Sequence, residues 1–189
     1  MLQKGMTKVE LEKELYGKGD FVLIDNITRF LKQQSLPVDT KKFLYKKLIE
    51  IYKRRNMFSE VAILYCKLAE FATTFSEKME NYIWEAENYI KAGNFESADI
   101  AIKKAITEAS PSEKNAILFN LKKFYQNQAN TYETERRRSS ALKTYEKMYR
   151  MSIFKSDKLE IEKKLLQLYK DFGMIKEFMG MKEKLEKEA

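Results

Sequence analysis

Apolar residues recur along this chain at spacings of three, four and seven, the signature of helices that bury one face. Phe58, Val61, Tyr65 and Leu68 make one such stripe. The pattern predicts helices near 7–17, 20–34, 39–55, 57–72, 75–92, 94–109, 111–129, 132–151, 156–172 and 174–187. No alternation of period two interrupts it, so the fold class expected is all-α.

A longer beat overlies the helical one. Gly19, Asn56, Gly93 and Asn130 stand 37 residues apart, each followed two positions later by an aromatic: Phe21, Phe58, Phe95 and Tyr132. Ile24, Val61 and Ala98 come five after the first three markers, and Leu31, Leu68 and Ala105 come twelve after. Tyr45, Tyr82 and Phe119 stand eleven before the second to fourth markers, and Leu15, Tyr52 and Tyr89 four before the first three. A fifth unit follows at Gly173, with Tyr169, Ile175, Phe178 and Leu185 at matching offsets, after 43 residues instead of 37. Periods of this length announce stacked helical hairpins. Gly and Asn tolerate the left-handed turn that reverses the chain between two helices. The six extra residues are expected as a loop just after Tyr132, near Glu133, Thr134 and Glu135.

Helix starts carry their own signals. Thr7 with Glu10, Thr74 with Glu77, Ser110 with Glu113 and Asp157 with Glu160 have capping-box spacing. Pro111 suits a first helical turn, and Pro37 separates one hairpin from the next.

The register of Tyr82, Ala86, Tyr89, Gly93, Phe95, Ala98, Ile102 and Ala105 resembles the tetratricopeptide repeat in a divergent form. Tyr45, Tyr52, Asn56, Phe58, Val61, Tyr65 and Leu68 repeat it more loosely, and the period of 37 departs from that family's 34. The resemblance implies a superhelix of about five antiparallel helix pairs, in one domain over 1–189, with units near 5–37, 38–74, 75–110, 111–154 and 155–189. It also implies a non-catalytic scaffold whose first helices line a groove for a protein or peptide partner. Mapped onto this sequence, the groove positions are Lys53, Arg54, Lys91, Asn127, Gln128 and Lys170. These cationic and amide groups suit a carboxylate or acidic segment. Earlier groove positions hold Lys46, Glu50, Ile83, Glu87, Asn120 and Phe124, so the family's carboxylate clamp is not reproduced; Glu50 and Glu87 would repel an acidic terminus.

Composition narrows the chemistry. The 189 residues contain no histidine and one cysteine, Cys66, which excludes histidine-based metal sites, histidine triads and an intramolecular disulfide. No glycine-rich phosphate loop occurs, Glu80, Glu85 and Glu87 read as a solvated helix face, and Cys66 reads as a small semi-buried hydrophobe. No enzyme activity, cofactor or metal is expected. The net charge is +8, concentrated in residues 1–70 and 111–150. Within the second block, Arg136, Arg137 and Arg138 precede Ser139 and Ser140 and offer contacts to phosphate, so the alternative function is a helical-repeat RNA-binding protein. Adjacent helical residues point about 100° apart, which limits how many could reach one ligand.

The aromatic residues fit core positions, with Trp84 the one expected to reach the surface. Met174, Met179 and Met181, around Phe172 and Phe178, form a patch through which the chain would self-associate. Lys182, Glu183, Lys184, Glu186, Lys187 and Glu188 surround Leu185 as a polar outer face. Met1 to Gly5 lack the apolar run of a signal peptide, and no stretch approaches a membrane span. With the single cysteine, this points to a cytoplasmic setting.

Overall fold

The computed structural model describes residues 2–3, 5–33 and 36–188, the last without its side chain. Met1, Lys4, Gln34 at the expected end of the second helix, and the Glu188 side chain lie outside the described residues. The described residues form ten α-helices, one 3-10 segment and no strand. The first six helices are α1 (Lys8–Leu15), α2 (Asp20–Leu31), α3 (Val38–Arg54), α4 (Phe58–Glu70), α5 (Phe75–Lys91) and α6 (Phe95–Glu108). Then come α7 (Pro111–Thr134), α8 (Arg138–Arg150), the 3-10 segment Ser152–Asp157, α9 (Lys158–Asp171) and α10 (Ile175–Glu188). They fall into two compact units, Met1–Ser110 and Pro111–Ala189.

The turns inside the helix pairs obey a stricter rule than the sequence beat. Asn56, Gly93, Arg136 and Gly173 adopt left-handed φ values of 55°, 75°, 57° and 65°. In each turn the next amide bonds back to a tyrosine carbonyl: Met57 to Tyr52 at 2.9 Å, Asn94 to Tyr89 at 2.9 Å, Arg137 to Tyr132 at 2.8 Å and Met174 to Tyr169 at 2.9 Å. The turn residue itself bonds three back, as Gly93 does to Ile90 at 2.9 Å. This is the Schellman arrangement, which satisfies carbonyls that the helix end leaves open.

Two expected markers are corrected by this rule. Asn130 lies inside α7, and Arg136 makes the turn; Gly19 starts α2 with φ −68°, while Gly17, at φ 72°, is left-handed. The turn-to-turn spacings from Asn56 onward are therefore 37, 43 and 37. The six extra residues lengthen a helix instead of forming a loop: α7 has 24 residues, whereas α3 and α5 have 17 each. Tyr132 is then the last-turn tyrosine of α7, equivalent to Tyr89. The core aromatic eleven before the turn is Tyr125, fully buried, and not Phe119, which is 57% exposed.

Counted from the true turns, the core is regular. Five residues on come Val61, Ala98 and Ala141, and twelve on come Leu68, Ala105 and Met148, all buried. Small residues at the first of these positions let paired helices approach closely. In the first unit α2 packs on α3, α3 on α4, α4 on α5 and α5 on α6; in the second, α7 packs on α8, α8 on α9 and α9 on α10. Ring contact between Tyr125 and Phe154, edge to face at 6.3 Å, seats the 3-10 segment on α7.

The caps follow the sequence in part. Thr7 and Glu10 form a full capping box, while Thr74 caps α5 through the Glu77 amide and Glu77 reaches back to the Thr73 amide at 3.0 Å. Asp157 makes no side-chain cap on α9, because Lys122 holds its carboxylate at 2.5 Å. Among the described residues no helix is long and apolar enough to cross a membrane.

Candidate functional site

In the first unit, the helices that open each pair flank two open clefts, one on either side of α3. The cleft between α3 and α5 has about 390 Å³ of free volume, floored by Ile49 and Leu68. Tyr65 and Trp84 stack across it with centroids 6.2 Å apart and planes at 25°. Lys53 lies over both rings, at 5.3 Å from Tyr65 and 5.7 Å from Trp84, and donates to the Tyr65 hydroxyl at 3.1 Å. A cation over a pair of faces gains from both ring quadrupoles. Trp84 keeps 38% of its surface exposed, as expected, but the assignment of the other aromatics to the core is corrected: Tyr16, Phe21, Phe75, Phe119 and Phe172 are more exposed still.

The second cleft, of about 340 Å³, lies among α1, α2 and α3 over an apolar floor of Leu15, Leu23, Ile27 and Ile51. Glu50 borders both clefts, so the two meet on the α3 ridge. Lys47 holds Glu50 at 3.6 Å and Glu12 at 3.7 Å, and Lys42 binds Glu77 at 2.9 Å from α3 to α5. Lys46 and Glu80 also line the α3–α5 cleft. Glu87 is held by Lys91 at 2.8 Å. The repulsion expected from Glu50 and Glu87 is thus offset by neighbouring ammonium groups.

The candidate residues scatter. Lys53 is the one of the six that lines the α3–α5 cleft. Arg54 borders the α1–α3 cleft and is tied to Asp20 at 2.6 Å, and Lys91 lies over the Phe58 ring at 5.8 Å. In the second unit, Asn127 borders a small polar cleft of about 230 Å³ with Asn130, Tyr145 and Glu160. Gln128 is 8% exposed and turned into the core beside Tyr132, and Lys170 stands in solvent. The arginine run diverges: Arg137 stacks on Tyr132 at 4.7 Å and meets Glu135 at 3.4 Å, Arg138 approaches Asp171 at 3.8 Å, and Arg136 occupies the turn.

Burial, not solvation, is the setting of Glu85. It is 3% exposed on α5, facing Cys66 of α4 and Lys104 of α6, and burial pushes its carboxyl above the usual range against the pull of Lys104. Lys104 reaches it at 3.4 Å. Glu162 on α9 is 1% exposed and bound by Lys184 at 2.7 Å, so Lys184 points inward and not into the polar outer face.

Sequence reasoning missed Tyr65 as a partner for Trp84. The register signal reaches only Trp84: Glu77, Glu80, Asn81 and Trp84 follow one helical face, three, four and seven apart, with the aromatic the sole apolar member. No protein-family model, curated protein or solved structure matches this chain.

Proposed function

We propose that the chain is a non-catalytic protein-interaction scaffold built of tetratricopeptide-like helix pairs, which captures a segment of a partner protein across α1, α3 and α5. The observation that carries this reading is the exposed Tyr65–Trp84 platform, topped by Lys53, inside an open cleft that adjoins a second, apolar one. An apolar side chain of the partner would enter over Leu15, Ile27 and Ile51, where burial supplies affinity. Polar groups of the partner would meet Lys46, Lys53 and Glu80, which set orientation and the speed of encounter. The helices come preformed, so binding avoids the ordering cost of a flexible loop.

The RNA-binding alternative would rest on the arginine run, two of whose three members already hold carboxylates. The test is a pull-down from native lysate with the full chain and with a Lys53→Glu, Trp84→Ala variant, each with and without nuclease. Proteins retained after nuclease and lost from the variant uphold the proposal. Equal capture by both chains overturns the cleft as the site. Recovery of RNA, with proteins vanishing after nuclease, replaces the scaffold with the alternative.

A further inference from the structure

Cys66, the chain's one cysteine, is not isolated. The Lys104 ammonium lies 3.7 Å from its sulfur and is held there by the carboxylate of Glu85. The three side chains come from successive helices, α4, α6 and α5, so their meeting is a product of the stack. Tyr82 lies beneath Lys104, with the ammonium 5.3 Å from the ring centroid, and closes the site from one side. Glu85 is 3% exposed, yet its second carboxylate oxygen has no hydrogen-bond partner in this buried place. An orphaned carboxylate oxygen deep in a helical stack costs stability, and a full apolar replacement would remove that cost. Cys66 and Lys104 are both half-buried, so a small oxidant can reach the sulfur.

We propose that Cys66 and Lys104 form a covalent sulfur–nitrogen link under hydrogen peroxide, an oxidative staple between α4 and α6. In the first step the Cys66 sulfur is oxidised by peroxide to the sulfenic acid, and the peroxide is reduced to water. In the second, the Lys104 ammonium first passes one proton to the Glu85 carboxylate that it contacts, which frees its lone pair. The neutral amine then attacks the sulfur, the S–OH bond breaks, and the departing hydroxide takes the second proton from nitrogen and leaves as water. The product is a sulfenamide, and the atoms of one thiol, one amine and one peroxide are balanced by two waters. A thiol reductant reverses the bond. Burial pushes the Cys66 thiol up, which keeps it protonated and makes the first step slow without excess oxidant. Glu85 is a positioning residue here: it holds the nitrogen against the sulfur.

Intact-mass measurement on the full chain, before and after excess hydrogen peroxide, tests this directly. The expected result is a loss of about 2 Da, restored by dithiothreitol. Tryptic mapping should then join the peptide bearing Cys66 to the peptide bearing Lys104. Cys66→Ser removes the link, and Lys104→Arg replaces it with a sulfenic acid that dimedone traps. The wild-type map decides the matter even if a variant misfolds. Oxidation of Cys66 to the sulfinic acid with no cross-link overturns the proposal, as does a sulfur that stays reduced or a link to any other lysine.

Discussion

The Tyr132 carbonyl accepts the Arg137 amide at 2.8 Å, and that bond requires Arg136 between them to sit at φ 57°. Gly93 and Gly173 occupy the same place in their turns without the crowding that a Cβ brings to left-handed backbone. Arginine there is a strained choice beside two glycines and an asparagine, the residues that tolerate this backbone.

Arg136→Gly should therefore stabilise the second unit by about 1 kcal/mol. The reciprocal change, Gly173→Ala, should cost about 1 kcal/mol, because a Cβ at that glycine meets nothing within 4 Å and the penalty is conformational alone. Urea denaturation of the two variants measures both signs, and an Arg136→Gly chain no more stable than wild type would refute the strain.

Tyr169 donates its hydroxyl to Glu146 at 3.2 Å, from α9 to α8. Burial, with the Glu146 and Glu177 carboxylates, pushes the phenol up to about 12 against Arg150. A folded value above the unfolded one means this contribution is complete below pH 10 and lost as pH rises from 10 through about 12. Tyr169→Phe should lose about 1 kcal/mol at pH 8 and approach wild-type stability above pH 12. Urea melts at pH 8, 10 and 12 follow the convergence.

Much of the architecture was legible because helix ends are local chemistry. Asn56, Gly93 and Gly173 announce their turns, and the aromatics around them keep constant offsets. Asn130 misled because it copies a turn residue at the right spacing while the helix runs past it; an arginine in left-handed backbone carries no such advertisement. At the site, Lys53 and Trp84 could be picked from helical register. The stacking of Tyr65 on Trp84 could not, since it depends on how two pairs pack. Glu85 and Glu162 look like ordinary surface glutamates until Lys104 and Lys184 arrive from the second helix of the same pair.

Glu85 makes the opposite contribution to a surface acid. Its folded carboxyl is raised by burial, with Lys104 of α6 opposing and Cys66 of α4 alongside, so its share of stability is present below the unfolded value near 4.5 and lost as pH climbs through the folded one. Glu85→Gln abolishes that slope. The difference in stability between variant and wild type should move in the variant's favour between pH 4.5 and neutral, as urea midpoints across that range would record.

Lys184 closes the last helix pair by reaching Glu162 at 2.7 Å and the Tyr149 hydroxyl. The other ammonium near Glu162, that of Lys158, is 3.9 Å away. Lys184→Met leaves a buried carboxylate poorly compensated and should cost about 3 kcal/mol. Adding Glu162→Met should restore most of the loss, and guanidinium melts of the single and double variants distinguish a mispaired charge from lost packing.

The 3-10 segment that follows α8 is a cover for one ring in the regular part of α7. Phe154 is 2% exposed because Tyr125, at the register position held by Tyr45 and Tyr82 in the shorter helices, lies edge to face against it, and Lys122 of the same helix grips Ser156 and Asp157. Replacing Tyr125 by a small residue would strand part of Phe154 in water, and deleting the 3-10 segment alone would bare Tyr125. Ring and cover thus form a single heritable trait: in any lineage of this chain the two should be gained and lost together.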